Sequence, residues 1–251
     1  MYSVLMQRLK QGYRTADYPK SEPTLSPRFR GLPHLAPGCP QGCSSCSEVC
    51  PTGAITSAPL SLDLGRCLSC GRCAAACPQK LITFTGDYRM SASRRQDLHI
   101  TPGAEFRRAE PLEPARRKLY SHSLKLRQVS AGGCNACEAD ANVLGTLAFD
   151  LGRFGIQFVA SPRHADALLV TGPVTEGMRE ALMKTWEALP DPRVLIVSGA
   201  CAISGGPFVG AQEVSNGVTD LLPVDLFVPG CPTHPYTLLD GMLRLMGRLP
   251  R

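Results

Sequence analysis

Twelve cysteines stand in three sets of four, with none left over. The first set is Cys39, Cys43, Cys46 and Cys50 in CPQGCSSCSEVCP, and the second is Cys67, Cys70, Cys73 and Cys77 in CLSCGRCAAACP. The third is dispersed: Cys134 and Cys137 in GGCNACE, Cys201 in GACAISGG, Cys231 in PGCP. Three thiolates in a tight loop can cap only three iron corners of a cube, so the fourth thiolate comes from a distant segment, with Pro behind it to turn the chain away. On that geometry Cys39, Cys43, Cys46 and Cys77 hold one [4Fe–4S] cluster, and Cys67, Cys70, Cys73 and Cys50 hold another. The second run has strict CxxCxxCxxxCP spacing. The first has one extra residue between Cys39 and Cys43, which a one-residue bulge absorbs. Structural zinc also uses CxxC pairs, but rarely eight cysteines in two such runs. A disulfide framework belongs to an oxidising compartment; with no secretory h-region and no early twin-arginine signal, a reducing compartment is expected.

The dispersed set needs a sheet to assemble it. Leu124–Val129, Ile156–Ala160, Ala167–Val170, Val194–Val197 and Leu226–Val228 read as buried strands. Helical spacing recurs at Leu144, Leu147, Ala148 and Leu151, and at Met178, Ala181, Leu182 and Leu189. It recurs again at Leu238, Leu239, Met242, Leu245 and Met246, opened by Pro235 in a first-turn position. Alternation of this kind predicts an α/β domain, flavodoxin-like, with a mostly parallel sheet and helices on both faces. Ligands collect at the carboxyl ends of such strands. Cys134, Cys137, Cys201 and Cys231 would therefore converge from three loops onto a third [4Fe–4S] cluster. Gly132, Gly133, Gly199, Gly205, Gly206 and Gly230 would let backbone approach it.

The first two sets sit in an internal repeat. Adding 27 to Cys43, Cys46, Cys50, Pro51, Ile55 and Thr56 gives Cys70, Cys73, Cys77, Pro78, Ile82 and Thr83. Such a repeat predicts two pseudo-symmetric halves, each a cysteine loop, a short helix and a strand. Four segments follow: 1–37, an amphipathic helix and a Pro-rich arm; 38–90, a 2[4Fe–4S] ferredoxin-like domain; 91–122, a basic linker; 123–251, the sheet domain. In the helix, Tyr2, Leu5, Met6 and Leu9 share a face that either packs on a core or lies at a membrane surface or membrane subunit. Residues 1–127 carry 19 Lys and Arg against 9 Asp and Glu, and residues 128–251 carry 8 against 12. The pairs Arg94–Arg95, Arg107–Arg108 and Arg116–Arg117 make the linker either a solvated run or a strap for an acidic neighbour or lipid headgroups. No groove-reading or base-stacking motif accompanies the charge, so nucleic acid is not an expected partner.

GGCNACE, SPRHAD (161–166), TGPVT (171–175), GACAISGG and VPGCP (228–232) resemble the small subunit of energy-converting, membrane-bound [NiFe] hydrogenases, including those of formate hydrogenlyase. The same stretch resembles the complex I subunit that carries the last cluster. FRGLP (29–33) ahead of two cluster motifs resembles the two-cluster ferredoxin subunit of those assemblies, so the chain looks like a fusion of the two. The resemblance implies an oxidoreductase component with three [4Fe–4S] clusters wired to a [NiFe]-type large subunit. It also implies an electron-input subunit (a formate dehydrogenase or a ferredoxin) and membrane subunits. The expected location is cytoplasmic, peripheral on the inner face of the cell membrane through those partners. A complex I-like quinone oxidoreductase is the alternative, and a structural zinc-binding interaction protein is a second. The two residues between Cys134 and Cys137 fit the hydrogenase branch, and so does His164. Departures are Ala139 and Asp140 after Glu138, Thr233 in place of a second proline, and Ala202 in place of glycine. Glu138 is the candidate catalytic group, as a proton relay or as a carboxylate favoured by a helix N-terminus. His164 and Arg163 are candidate neighbours of the third cluster, through an N–H···S contact or a cationic charge, or else loop anchors.

Overall fold

The computed structural model describes residues 2–250; Met1 of the expected first helix and Arg251 lie outside the described residues. The chain opens with α1 (Tyr2–Gln11), which buries none of its residues. Then come β1 (Pro33–Leu35), α2 (Ser45–Glu48), β2 (Ile55–Ser57), β3 (Leu60–Asp63), α3 (Arg72–Ala76), β4 (Ile82–Phe84) and β5 (His99–Ile100). The repeat is visible in space, because α2 with β2 is echoed by α3 with β4. The two strands nevertheless find different partners. β4 pairs antiparallel with β1, whereas β2 pairs with β3, which pairs in turn with β5. Strands of three residues cannot stand alone, so the segment before the first cysteine set and the segment after the second complete the two small sheets.

The expected basic linker is structured. It carries β5 and α4 (Pro114–Tyr120), and Ala92 bridges antiparallel to Phe227. Its arginines are largely spoken for. Arg95 grips Asp63 through both nitrogens at 2.7 and 2.5 Å, and Arg116 grips Asp225 at 2.6 and 3.0 Å. Arg107 pairs with Glu110 and Arg108 with Asp87. The strap therefore spends most of this positive charge inside the chain.

Next come β6 (Leu124–Ser130), α5 (Ala136–Val143), β7 (Ile156–Phe158), β8 (Ala167–Thr171) and α6 (Glu176–Glu187). β9 (Val194–Ser198), α7 (Ala200–Ser204), β10 (Leu226–Val228) and α8 (Pro235–Leu245) close the fold. The five strands form one sheet in the order β10-β9-β8-β6-β7, every ladder parallel. β8, β9 and β10 are buried along their whole length, as continuous apolar strands under helices must be. The order reverses between β6 and β8, which is the switch point of a flavodoxin-like sheet. All five expected strands are present. The helix expected across Leu144–Leu151 is not: α5 stops at Val143, Gly145 follows, and the Thr146 hydroxyl donates to the Val143 carbonyl at 2.7 Å. Leu144 and Leu151 are both buried because a loop closes between them, the Leu151 N–H donating to the Leu144 carbonyl at 3.0 Å.

The two parts share a core. Leu62, Leu64 and Leu98 lie in one cluster with Leu168, Leu195, Val197 and Ile203. On the other face, α8 is nearly all buried, opened by His234, whose Nδ1 accepts the Tyr236 N–H at 3.2 Å. Asp240, 1 % exposed, accepts Arg244 Nε at 2.8 Å, and Tyr18 of the N-terminal arm donates to its other oxygen at 3.2 Å. Burial, then the Asp240 charge, pushes the Tyr18 phenol far above its ordinary range, so it stays a donor. Asp240→Ala would strand a buried guanidinium and unhook the arm. The expected loss is about 3 kcal/mol in urea denaturation; an unchanged midpoint would show that the pair does not hold α8.

Candidate metal centres

The N-terminal cysteines regroup across the repeat. Cys39, Cys43, Cys46 and Cys77 line one cavity of about 180 Å³, together with Pro40, Leu60 and Ile82. Cys50, Cys67, Cys70 and Cys73 line a second, smaller one with Leu62 and Phe84. Each proline-flanked fourth cysteine thus lines the cavity of the other run. The extra residue after Cys39 does not remove that cysteine from its group.

Backbone donors reach the crossing thiols at repeat-related positions. The Ala54 N–H donates to Cys50 Sγ at 3.2 Å, and the Leu81 N–H, 27 residues on, donates to Cys77 Sγ at 3.4 Å. Ser69 N–H donates to Cys67 Sγ at 3.3 Å. Burial would raise Cys50, but the N–H groups of Thr52 and Ala54, the Thr52 hydroxyl and the Ile55 N–H win and hold its thiol below the ordinary value. Elsewhere burial wins: Cys67 is pushed up to about 12 and Cys73 to about 11, with neighbouring thiolates adding to the rise. These sulfurs stay protonated near neutrality unless a bound cation displaces the proton.

The dispersed set converges as the sheet requires. Cys134 and Cys137 follow β6, Cys201 follows β9, and Cys231 follows β10, all at carboxyl ends. Burial lifts Cys201 to about 12, with Cys231, Cys137 and Cys134 adding their charge. Burial lifts Cys137 to about 11 against an N–H bond from Thr233. Two glycines leave room. A Cβ on Gly199 would stand 2.6 Å from Cys137 Sγ at φ +95°, and one on Gly206 would stand 2.9 Å from Cys201 Sγ. The three groups also feel one another's charge in series. Cys46 contributes to the field at Cys73, and Cys70 contributes to the field at Cys231.

Glu138 sits at the switch point. Its Oε1 accepts Ser130 Oγ and Thr171 Oγ1, both at 2.6 Å, from the ends of β6 and β8. Burial works against ionisation, but these two donors and its own N–H hold the carboxyl below its ordinary value. It borders an open cavity lined by Arg127, Asn142, Phe158 and Val159. Arg163 and His164 are not brought to the cysteines. They lie exposed on a 3₁₀ turn leading into the amino end of β8, and neither side chain makes a hydrogen bond or ion pair with a described residue. The histidine on the cysteine side is His234, three residues past Cys231. The His-Pro pair after CPT, marking a helix start, was its signal. Arg30, whose side chain lies over Gly71, stands in the FRGLP stretch, but nothing in that motif marked it as a neighbour of the cysteine loop.

The model of the NADH ubiquinone oxidoreductase 20 Kd subunit matches residues 134–245, from Cys134 past Cys231. The LdpA Fe-S cluster-binding domain matches residues 39–88, which hold the first two sets. Formate hydrogenlyase subunit 7 of Escherichia coli is 42 % identical over 53 % of this chain and 52 % of its own length. The chain therefore spans about half of that relative. Probable membrane-bound hydrogenase subunit mbhJ of Pyrococcus furiosus is 36 % identical over 61 % of this chain and 91 % of its own length. An NADH-quinone oxidoreductase subunit of Heliobacterium modesticaldum is 39 % identical over 47 % of this chain and 69 % of its own length.

The thiol arrangement, with its N–H donors and glycine clearances, fits iron–sulfur ligation. Gly199→Ala should lower the iron bound per anaerobically purified chain. Gly86→Ala, where a Cβ meets nothing within 4 Å, should leave it unchanged. Equal iron in both variants would mean that Cys137 does not need the space.

Proposed function

From a chain that belongs to the family of the NADH ubiquinone oxidoreductase 20 Kd subunit, we propose an electron-transfer subunit of a membrane-bound [NiFe]-hydrogenase complex of the formate hydrogenlyase type. Three [4Fe–4S] clusters form its wire. Cys39, Cys43, Cys46 and Cys77 hold the first, Cys67, Cys70, Cys73 and Cys50 the second, and Cys134, Cys137, Cys201 and Cys231 the third. When bound, each supplies a site that takes up and releases one electron. The observation that carries the reading is the gathering of the cysteines: four line one cavity, four line a second, and the last four stand at the carboxyl ends of β6, β9 and β10.

Among the described residues, no three His, Cys, Asp or Glu are spaced to close on a single ion. Tetrahedral zinc needs four donors about 2.3 Å from one centre, so the quartets suit a larger inorganic core. Two residues between Cys134 and Cys137, and the hydrogenase relatives, favour a nickel–iron site on a partner large subunit over a quinone site. That partner would cover Cys134 and Cys231, both exposed. Electrons would enter at the first quartet from a formate dehydrogenase or a ferredoxin. Glu138, ionised and facing an open cavity beside Cys137, would relay protons near the third cluster.

Among the described residues, no helix is long and apolar enough to cross a membrane. Attachment on the inner face of the membrane would run through partner subunits. α1 adds to it with Tyr2, Leu5 and Leu9 more than 60 % exposed and Arg8 and Lys10 in its last turn.

Two measurements on the native complex test this. An intact anaerobic sample should hold about twelve irons per chain, four for each all-thiolate cube; about eight would remove one quartet. The co-purifying large subunit should hold nickel. A nickel-free complex with bound quinone would establish the complex I-like alternative.

A further inference from the structure

The two junctions between quartets are built differently. Cys46 and Cys73, which join the first to the second, are both buried. Cys70 and Cys231, which join the second to the third, are both exposed. Across that exposed junction the N-terminal arm lays two consecutive residues.

Arg30 runs over Gly71, in the loop between Cys70 and Cys73. A Cβ on Gly71 would stand 2.9 Å from Arg30 Nε and 3.4 Å from its Cζ. Phe29 packs on His234, ring centroids 4.8 Å apart, and His234 belongs to the loop that carries Cys231. The His234 ring is itself fixed, by the Tyr236 N–H on Nδ1 and by stacking on the Tyr236 ring at 5.8 Å. Gly31 pins the pair from behind. Its N–H donates to the Thr85 carbonyl at 2.8 Å, and a Cβ there would stand 2.1 Å from the Asp87 carbonyl oxygen.

Arg30 also differs from the cations around it. Arg89, Arg95, Arg108 and Arg116 each hold a carboxylate. Arg30 makes no ion pair or hydrogen bond with any described residue. Its charge faces the Cys70–Cys73 loop uncancelled.

We propose that Phe29 and Arg30 are positioning residues for the second-to-third link: Phe29 fixes the spacing of the two cysteine loops, and Arg30 sets the electron affinity of the second cluster. The proposal rests on the cluster reading above. Reduction adds a negative charge to the cluster, and a fixed cation over its loop stabilises that state by Coulomb attraction. Because Arg30 is exposed, salt screens the effect. Arg30 lies against the second quartet's own loop, so the first quartet should feel it less.

The test is a redox titration of the anaerobic full-length holoprotein followed by electron paramagnetic resonance. Cys43→Ser, Cys67→Ser and Cys134→Ser variants assign the three signals. Arg30→Gln should move the second cluster's midpoint to more negative potential, more at low salt than at high salt, and leave the first cluster's midpoint in place. Arg30→Lys should restore it. Phe29→Ala should weaken the spin–spin broadening between second and third signals, with the midpoints kept. An unmoved second midpoint in Arg30→Gln at low salt overturns the proposal. So does an equal shift of all three, a failure of Lys to restore, or a loss of iron that makes the role structural. A parent protein that lacks the three signals defeats the cluster reading itself, and is seen before any variant is made.

Discussion

Everything in this chain answers to one electrostatic problem: four sulfurs must be held within reach of one another and ionised, away from water. Burial and mutual repulsion both oppose it. Cys67 and Cys201 are driven to about 12, and Cys73 and Cys137 to about 11. Left to themselves, such thiols would keep their protons and drift apart. Two things counter this: backbone N–H groups aimed at sulfur, and the positive charge of iron, which takes the proton's place. Cys50 shows how far hydrogen bonding can go, since its N–H donors and the Thr52 hydroxyl together reverse the sign of the shift.

The two parts of the molecule meet this demand by different routes. In the N-terminal part the geometry is local. A loop of two-residue spacings, a short helix and a crossing cysteine are written twice, 27 residues apart, and the Ala54 and Leu81 N–H donors repeat with them. In the C-terminal part it is topological. Strands distant in sequence end side by side because the sheet is parallel, so three loops arrive at one point. The shared core, with Leu62 and Leu64 packed in one cluster with Leu195 and Ile203, makes the spacing between the two kinds of site a property of the fold. The half-buried Arg116–Asp225 pair ties the strap to the sheet domain, and the buried Asp240–Arg244 pair presents the carboxylate oxygen that Tyr18 of the arm bonds.

This division explains what could be read in advance. The cysteine groupings were legible because the spacing of such runs is set by local bond geometry that tertiary context does not override. The five parallel strands were legible because a fully buried strand is a continuous apolar run between turn residues. β1 and β5 were not, for three- and two-residue strands acquire their identity only from a partner. The helix read across Leu144–Leu151 failed because apolar spacing records burial, not the path between buried residues; Gly145 and the Thr146 hydroxyl opened a loop instead. His164 drew attention as a motif residue, yet its turn leads to the amino end of β8. His234 and Arg30 depend on contacts between segments about 200 and 40 residues apart, which a linear pattern does not carry.

Thr233 shows how a departure from an expected motif can be functional in form. At this position the resemblance leads one to expect proline, which has no N–H. Threonine restores the donor, and that N–H is the one bonded to Cys137. Its hydroxyl is used as well: it accepts from Ser198 at 3.0 Å and donates to the Val228 carbonyl at 3.3 Å, stitching the ends of β9 and β10 under the third quartet. A proline here would leave Ser198 Oγ without this acceptor at a buried position and leave Cys137 to burial alone. Since N–H donation to sulfur stabilises the more negative, reduced state of a bound cluster, a cluster held here would be easier to reduce than on the same scaffold with proline.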